Sequence, residues 1–90
     1  MHASIITFQG DPDDLLPRYD ALLAEVPAAK ETLHLCLRAD DGIVVVDTCP
    51  TREAFEAFHN GPFRELTARH GLPNPVVADH PVHAAFNGRR

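Results

Sequence analysis

Six histidines in a chain of 90 residues bring much proton chemistry near neutral pH within reach. His34 and Asp47 lie on facing segments either side of an Asp-Asp-Gly turn signal. A carboxylate beside an imidazole fixes its tautomer and raises its basicity, so this pair is a candidate base with its orienting group. Cys36, in phase with His34, is a candidate nucleophile or substrate contact if a neighbour stabilises its thiolate. Arg38 suits an anionic group, through its planar fork of donors. His59 precedes the helix-breaking run Asn60-Gly61-Pro62, where a side chain can reach the mouth of a cleft. His83 follows Pro81-Val82 near the end of the last apolar segment, with His80 two residues before Val82. Each has a plain structural alternative: a satisfied His–Asp pair, a buried inert thiol, a solvated strand end, or a histidine compensating a helix dipole. His70, before Gly71, reads as structural, and His2 as a terminal residue irrelevant to the chemistry.

The segment Glu31 to Cys49 must position most of these groups. Leu33, Leu35 and Leu37 alternate with Thr32, His34, Cys36 and Arg38, the period of a strand. Asp41-Gly42 signals a hairpin with a type I′ turn, and the β-branched run Ile43 to Thr48 returns as the second strand. In that register His34 and Asp47 are diagonal; with Asp40-Asp41 as the loop they are directly opposite, on the same face either way. A three-residue loop would invert the faces. One face of the hairpin is aliphatic, with Leu33, Leu35, Leu37, Val44 and Val46. The other mixes His34, Cys36, Arg38, Asp47 and Cys49 with Ile43 and Val45, the composition of a pocket or an oligomer interface. Leu35 is expected in the core.

A first strand is expected over His2 to Gln9. The spacing of Leu15, Leu16, Tyr19, Leu22, Leu23 and Val26 predicts a helix over Asp13 to Val26, stopped by Pro27. Asp14 as N-cap puts Pro17 in the first turn, where proline costs little; Asp11 with Pro12 is the competing start. Thr51 caps a second helix, Arg52–His59, whose buried stripe carries Phe55 and Phe58 with Ala54 beside them. A kink at Asn60-Gly61-Pro62 then leads into Pro62–His70, with Gly71 as its C′ glycine. Pro75 to Phe86 is the last strand, at an edge or bulged because Pro81 lacks a donor. Asn87 to Arg90 is a polar tail.

Ninety residues make one domain, 1–90, with a modest core. A net charge of −5 with interspersed acids and bases argues against nucleic acid and anionic membrane. There is no C-x-x-C or H-E-x-x-H spacing, so no metal site is expected. In the Asp41-Gly42 register Cys36 and Cys49 are roughly 7–8 Å apart, too far for a disulfide. Neither a leader nor a membrane-length apolar run is apparent, which makes the cytoplasm the expected location.

Strand, helix, hairpin, helix, strand is the α+β ferredoxin-like order βαββαβ, with both helices on one face of an antiparallel sheet. The face left open holds Ile43 and Val45 in this reading and is too oily for water, so a second copy is expected to pack sheet on sheet. With this order, the length, the stretch A-F-E-A-F-H-N-G-P-F-R-E-L and the lead H-G-L-P-N-P, the chain resembles the dimeric α+β barrel proteins over nearly its whole length. That superfamily includes cofactor-free antibiotic-biosynthesis monooxygenases, polyketide cyclases, haem-degrading enzymes and stress-responsive proteins. The resemblance implies a homodimer with a small-molecule pocket in each subunit. The haem-degrading members use an Asn, Trp and His set; this chain has no Trp, so no cofactor is expected. The plant-type cyclases use histidines near the second helix and the last strand with tyrosine support, positions that His59, His83 or His80, and Tyr19 could match.

The expected function is cofactor-free oxygenation or aldol-type cyclisation of an aromatic or polyketide-like substrate. His34, Asp47, His59 and His83 are the catalytic candidates; Tyr19, Cys36, Arg38, Phe55 and Phe58 are the substrate contacts. The alternative is a non-catalytic ligand-binding or assembly module of the same fold. Open space beneath Phe55, Phe58 and Leu22 would favour the enzyme, and a filled interior the module.

Overall fold

The computed structural model describes residues 1–26 and 33–85. The beginning of the expected hairpin (Glu31 and Thr32), Pro27, Phe86 and the tail Asn87 to Arg90 lie outside them. The elements run β1 (His2–Gln9), α1 (Pro12–Leu23), β2 (His34–Ala39), β3 (Gly42–Cys49), α2 (Arg52–Phe58), a π-helical turn (His59–Phe63), α3 (Arg64–Arg69) and β4 (Val76–Pro81). The four strands form one antiparallel sheet in the order β2-β3-β1-β4. This is the expected ferredoxin-like α+β architecture.

The hairpin keeps its parity but not its turn. Ala39 pairs with Gly42 and His34 with Asp47, so Asp40 and Asp41 are the loop residues. Neither has positive φ, which excludes the expected type I′ turn. Gly42 is needed for a different reason. It pairs with Gln9 across β1 and β3, and a Cβ there would lie 2.0 Å from the Phe8 carbonyl oxygen.

The sheet presents the opposite face to the helices from the one expected. Ile6, Phe8, Ile43 and Val45 are buried with Leu15, Tyr19 and Leu22 of α1 and with Phe63 and Leu66. The mixed hairpin face is thus the core face. The aliphatic face is open in the single chain: Leu35 is 45% exposed and Leu37 46%. Hydrophobicity alone does not choose between two apolar faces; the hand of the β-α-β crossovers does. In the folded sheet Phe8 and Ile6 of β1 pair with Ile43 and Val45, which gathers the bulky apolar side chains of both strands on the helix-covered face.

The first helix begins at Pro12, with the Asp11 carboxylate accepting from the Asp13 N–H at 2.9 Å. The competing start is the observed one, and Pro17 sits inside the helix, where it leaves the Asp13 carbonyl without its helical donor. Thr51 caps α2 as expected, accepting from the Ala54 N–H at 3.1 Å. At Asn60-Gly61-Pro62 the helix widens into a π-turn instead of breaking, and the wider turn accommodates the absent Pro62 N–H. At the end of α3, Gly71 has φ +70, with Gly71 and Leu72 donating to the carbonyls of Ala68 and Thr67. That is the Schellman arrangement expected of a C′ glycine. The last strand is an edge strand, shorter than expected, ending at Pro81. Cys36 and Cys49 are free thiols.

Candidate functional site

Along the core face the sheet side chains change from large and apolar to small and polar. Phe8, Ile6, Ile43 and Val45 fill the space under α1, whereas Ser4, Asp47 and Cys49 floor the space under α2. No residue of α2 is buried, and Phe55 and Phe58 are only half-buried. The result is a cavity of about 470 Å³ between sheet and helices, roofed by Leu22 and Leu23 of α1, by Val26 just beyond it, and by Phe55 and Phe58 of α2. The space beneath Phe55, Phe58 and Leu22 is open.

Three polar side chains from three elements are linked at its wall. The Tyr19 hydroxyl is 2.8 Å from His34 Nε2, and His34 Nδ1 is 3.7 Å from Asp47 Oδ1. The Tyr19 and His34 rings are parallel within 2°. Asp47 is itself held by the Thr48 N–H, which donates to Oδ1 at 2.9 Å. A carboxylate next to Nδ1 favours the proton on that nitrogen, leaving Nε2 to accept from Tyr19. Burial pushes the Tyr19 phenol far above its ordinary range, with the negative groups Cys36, Asp47 and Asp20 adding to the effect. Burial also raises the Asp47 carboxyl, against the opposing pull of His34 and the Thr48 N–H.

His59 borders the same cavity from the π-turn. Its ring stacks on Phe55 at 5.3 Å and Phe63 at 5.5 Å, and its Nδ1 is buried with no hydrogen-bond partner. Desolvation lowers its pKa first, helped by the Arg64 charge and opposed by Asp79.

Tyr19, His34, Asp47, Phe55, Phe58 and His59 are therefore brought together, and the other candidates are not. Cys36 is half-buried against the core, outside the cavity lining, and burial raises its thiol pKa, the reverse of what a nucleophile needs. Arg38 is bound at the surface to Asp13, 2.5 Å away. His83 is exposed beyond the end of β4, and His80 faces away from the cavity, paired with Ala3. Conversely, His2 is not a loose terminal residue. It is 5% exposed, and its Nε2 is 2.6 Å from Asp79 Oδ1. Its phase with Ile6 and Phe8 along β1 was the available signal. Among the described residues, no three His, Cys, Asp or Glu side chains converge as a metal site would need. None of the described helices is long and apolar enough to cross a membrane.

No protein-family model and no curated protein matches the chain in sequence. Solved structures do match in fold. A mutant of MhuD, with two manganese protoporphyrin IX molecules bound per active site, is 21% identical with a TM-score of 0.75, over 98% of this chain and 100% of that one. SnoaB, a cofactor-independent oxygenase from Streptomyces nogalater, is 16% identical with a TM-score of 0.57, over 94% of this chain and 93% of its own. A single-site mutant of SnoaB gives 18% identity and a TM-score of 0.55. The chain thus shares the ferredoxin-like α+β fold of these structures, the fold expected from its order of elements.

Proposed function

We propose that the chain is a small-molecule enzyme that removes a proton from an activated carbon of an aromatic or polyketide-like substrate and then oxygenates or cyclises it without a cofactor. The observation that carries this reading is the Tyr19–His34–Asp47 chain at the wall of an apolar cavity. Its fold likeness to a cofactor-independent oxygenase supports the same class.

Tyr19 is too buried to exist as a phenolate, so it acts as a relay. The substrate C–H proton passes to the Tyr19 oxygen as the hydroxyl proton moves to His34 Nε2. The resulting imidazolium is stabilised by Asp47. The carbanion left in the cavity has two outlets. It can attack a carbonyl of the same molecule, with His34 returning the proton through Tyr19 to the new alkoxide. Alternatively it can give one electron to dioxygen; the two radicals then combine to a peroxide anion, which takes the proton back from His34 through Tyr19, and the resulting hydroperoxide loses water. The substrate methylene and one dioxygen molecule thereby give a carbonyl group and one molecule of water. The working unit in this reading is a cytoplasmic homodimer.

Anthrone, a tricyclic ketone with an acidic methylene, tests the reaction. Wild-type protein without added metal or flavin should consume one dioxygen per anthraquinone formed, faster than uncatalysed autoxidation. Tyr19→Phe should lose about 10²–10⁴-fold in rate. Absence of both oxygenation and cyclisation across a panel of such ketones would sink the enzyme reading. Haem titration should leave the Soret band unshifted. Tight one-to-one binding would instead make the cavity a porphyrin site, as it is in the MhuD structure.

One observation favours a second reading. At 3.7 Å, His34 Nδ1 and Asp47 Oδ1 are farther apart than a hydrogen bond allows, which suits a structural ion pair in a non-catalytic binding or assembly module. Ligand binding with no turnover of any panel member would select it.

A further inference from the structure

The cavity has a proton acceptor in this reading but no group yet for the charge that proton removal creates. A carbanion next to a carbonyl is an enolate, and its charge sits on oxygen. A donor aimed at that oxygen supplies much of the stabilisation in such reactions. His59 has the attributes of one.

A neutral imidazole carries one N–H and one lone pair. In His59 the Nδ1 atom is buried and unpartnered, between the stacked rings of Phe55 and Phe63. An orphaned buried N–H is costlier than an orphaned lone pair. The cheaper tautomer therefore leaves Nδ1 bare and puts the proton on Nε2. With Nδ1 sealed, Nε2 is the ring nitrogen left to meet a ligand, on a half-buried residue that lines the cavity. The two aromatic rings fix the ring plane, and the π-turn holds the residue at the cavity wall. Desolvation keeps the ring neutral, so it is a donor without a charge to neutralise. A neutral donor serves better here than a cation, since the cavity already holds a carboxylate.

We infer that His59 Nε2–H is the oxyanion donor of the cavity, and that its substrates are ketones whose acidic C–H is conjugated with the carbonyl, either next to it or, as in anthrone, across an aromatic ring. In the step itself, the C–H electron pair becomes the enolate double bond. The carbonyl π pair moves onto the oxygen held by His59, and the proton leaves through Tyr19 to His34. Both outlets of the reaction share this step. The inference rests on the proposed function for its catalytic meaning, but its structural content, a carbonyl subsite at His59, is separable.

The test uses wild-type protein with ¹⁵N-labelled histidine, the His59 signals being assigned by their loss in His59→Phe. Long-range ¹H–¹⁵N spectra should show His59 as the Nε2–H tautomer. Adding 1-tetralone should move its Nε2 resonance, whereas tetralin, which lacks only the carbonyl oxygen, should not. His59→Phe should weaken tetralone binding roughly tenfold and leave tetralin within about twofold. An Nδ1–H tautomer would overturn the inference. So would equal shifts with both ligands, or no shift with either. The last result would place Nε2 in the outer cleft that His59 also borders, beside Arg64 and Asn74. If His59→Phe does not fold, the wild-type spectra still decide. Inactivity toward anthrone with the tetralone result intact would remove the enzyme reading and leave the carbonyl subsite standing.

Discussion

Burial raises the Asp47 carboxyl above its ordinary value of 3.8, and that has a sign for stability. A raised acid pKa means that the folded state binds the proton more tightly than the unfolded chain. Ionising Asp47 therefore costs stability, a cost that sets in as pH rises from about 3.8 through the folded value and stays constant above it. Asn keeps an oxygen to accept from the Thr48 N–H and carries no charge. Asp47→Asn should accordingly raise Tm at pH 7 by roughly 2–6 °C, with the gain vanishing below about pH 3.5 in calorimetry across pH. If His34 is the base, the same variant should lose about tenfold or more in turnover, because the imidazolium loses its counter-charge. A gain in Tm with unchanged turnover would make the pair structural. Stability given up at a site that needs a poised charge is a common trade.

Among the elements, the close approach of β1 and β3 depends on one missing side chain. Gly42→Ala would put a Cβ against the backbone of Phe8, which no rotamer change relieves. This substitution should destabilise by about 1–3 kcal/mol in urea unfolding. An unchanged midpoint would mean that the strands do not pair in this register. Leu35, expected in the core, lies on the open face instead, so the single-chain core is probed better at Ile43, which is fully buried. Ile43→Ala should cost about 2–5 kcal/mol in the same measurement. The open hollow under α2 follows from the same accounting. Phe55 and Phe58 face it without filling it, because the sheet beneath offers Ser4 and Asp47.

Across the molecule as a body, the open sheet face carries Ile5, Leu33, Leu35, Leu37 and Val76, each 45–67% exposed. A contiguous apolar surface of this kind needs a cover, and a second copy of the same face is the expected one. Sedimentation at micromolar concentration should give about twice the 9.9 kDa chain mass, and Leu37→Glu a folded monomer. A wild-type monomer would remove the homodimer from the proposed function. If the copies do pack sheet to sheet, the cavity lies on the far side of each sheet, and Asp47 and His34 act within one chain.

The elements and their order were legible along the chain, because they rest on local chemistry: the period of two in β2, the Thr51 cap, the Gly71 stop. So was the shared face of His34 and Asp47, since two-residue loops at either position preserve parity. Which face the helices cover was not. Both faces are apolar, and crossover handedness, a property of the chain path, breaks the tie. The meeting of Tyr19 with His34 also waited on the folded chain, since it joins α1 to β2 across a connection with no period of its own. The isolation of His59 Nδ1 did likewise. A buried atom without a partner is defined by everything that does not reach it, and no spacing along a chain records that.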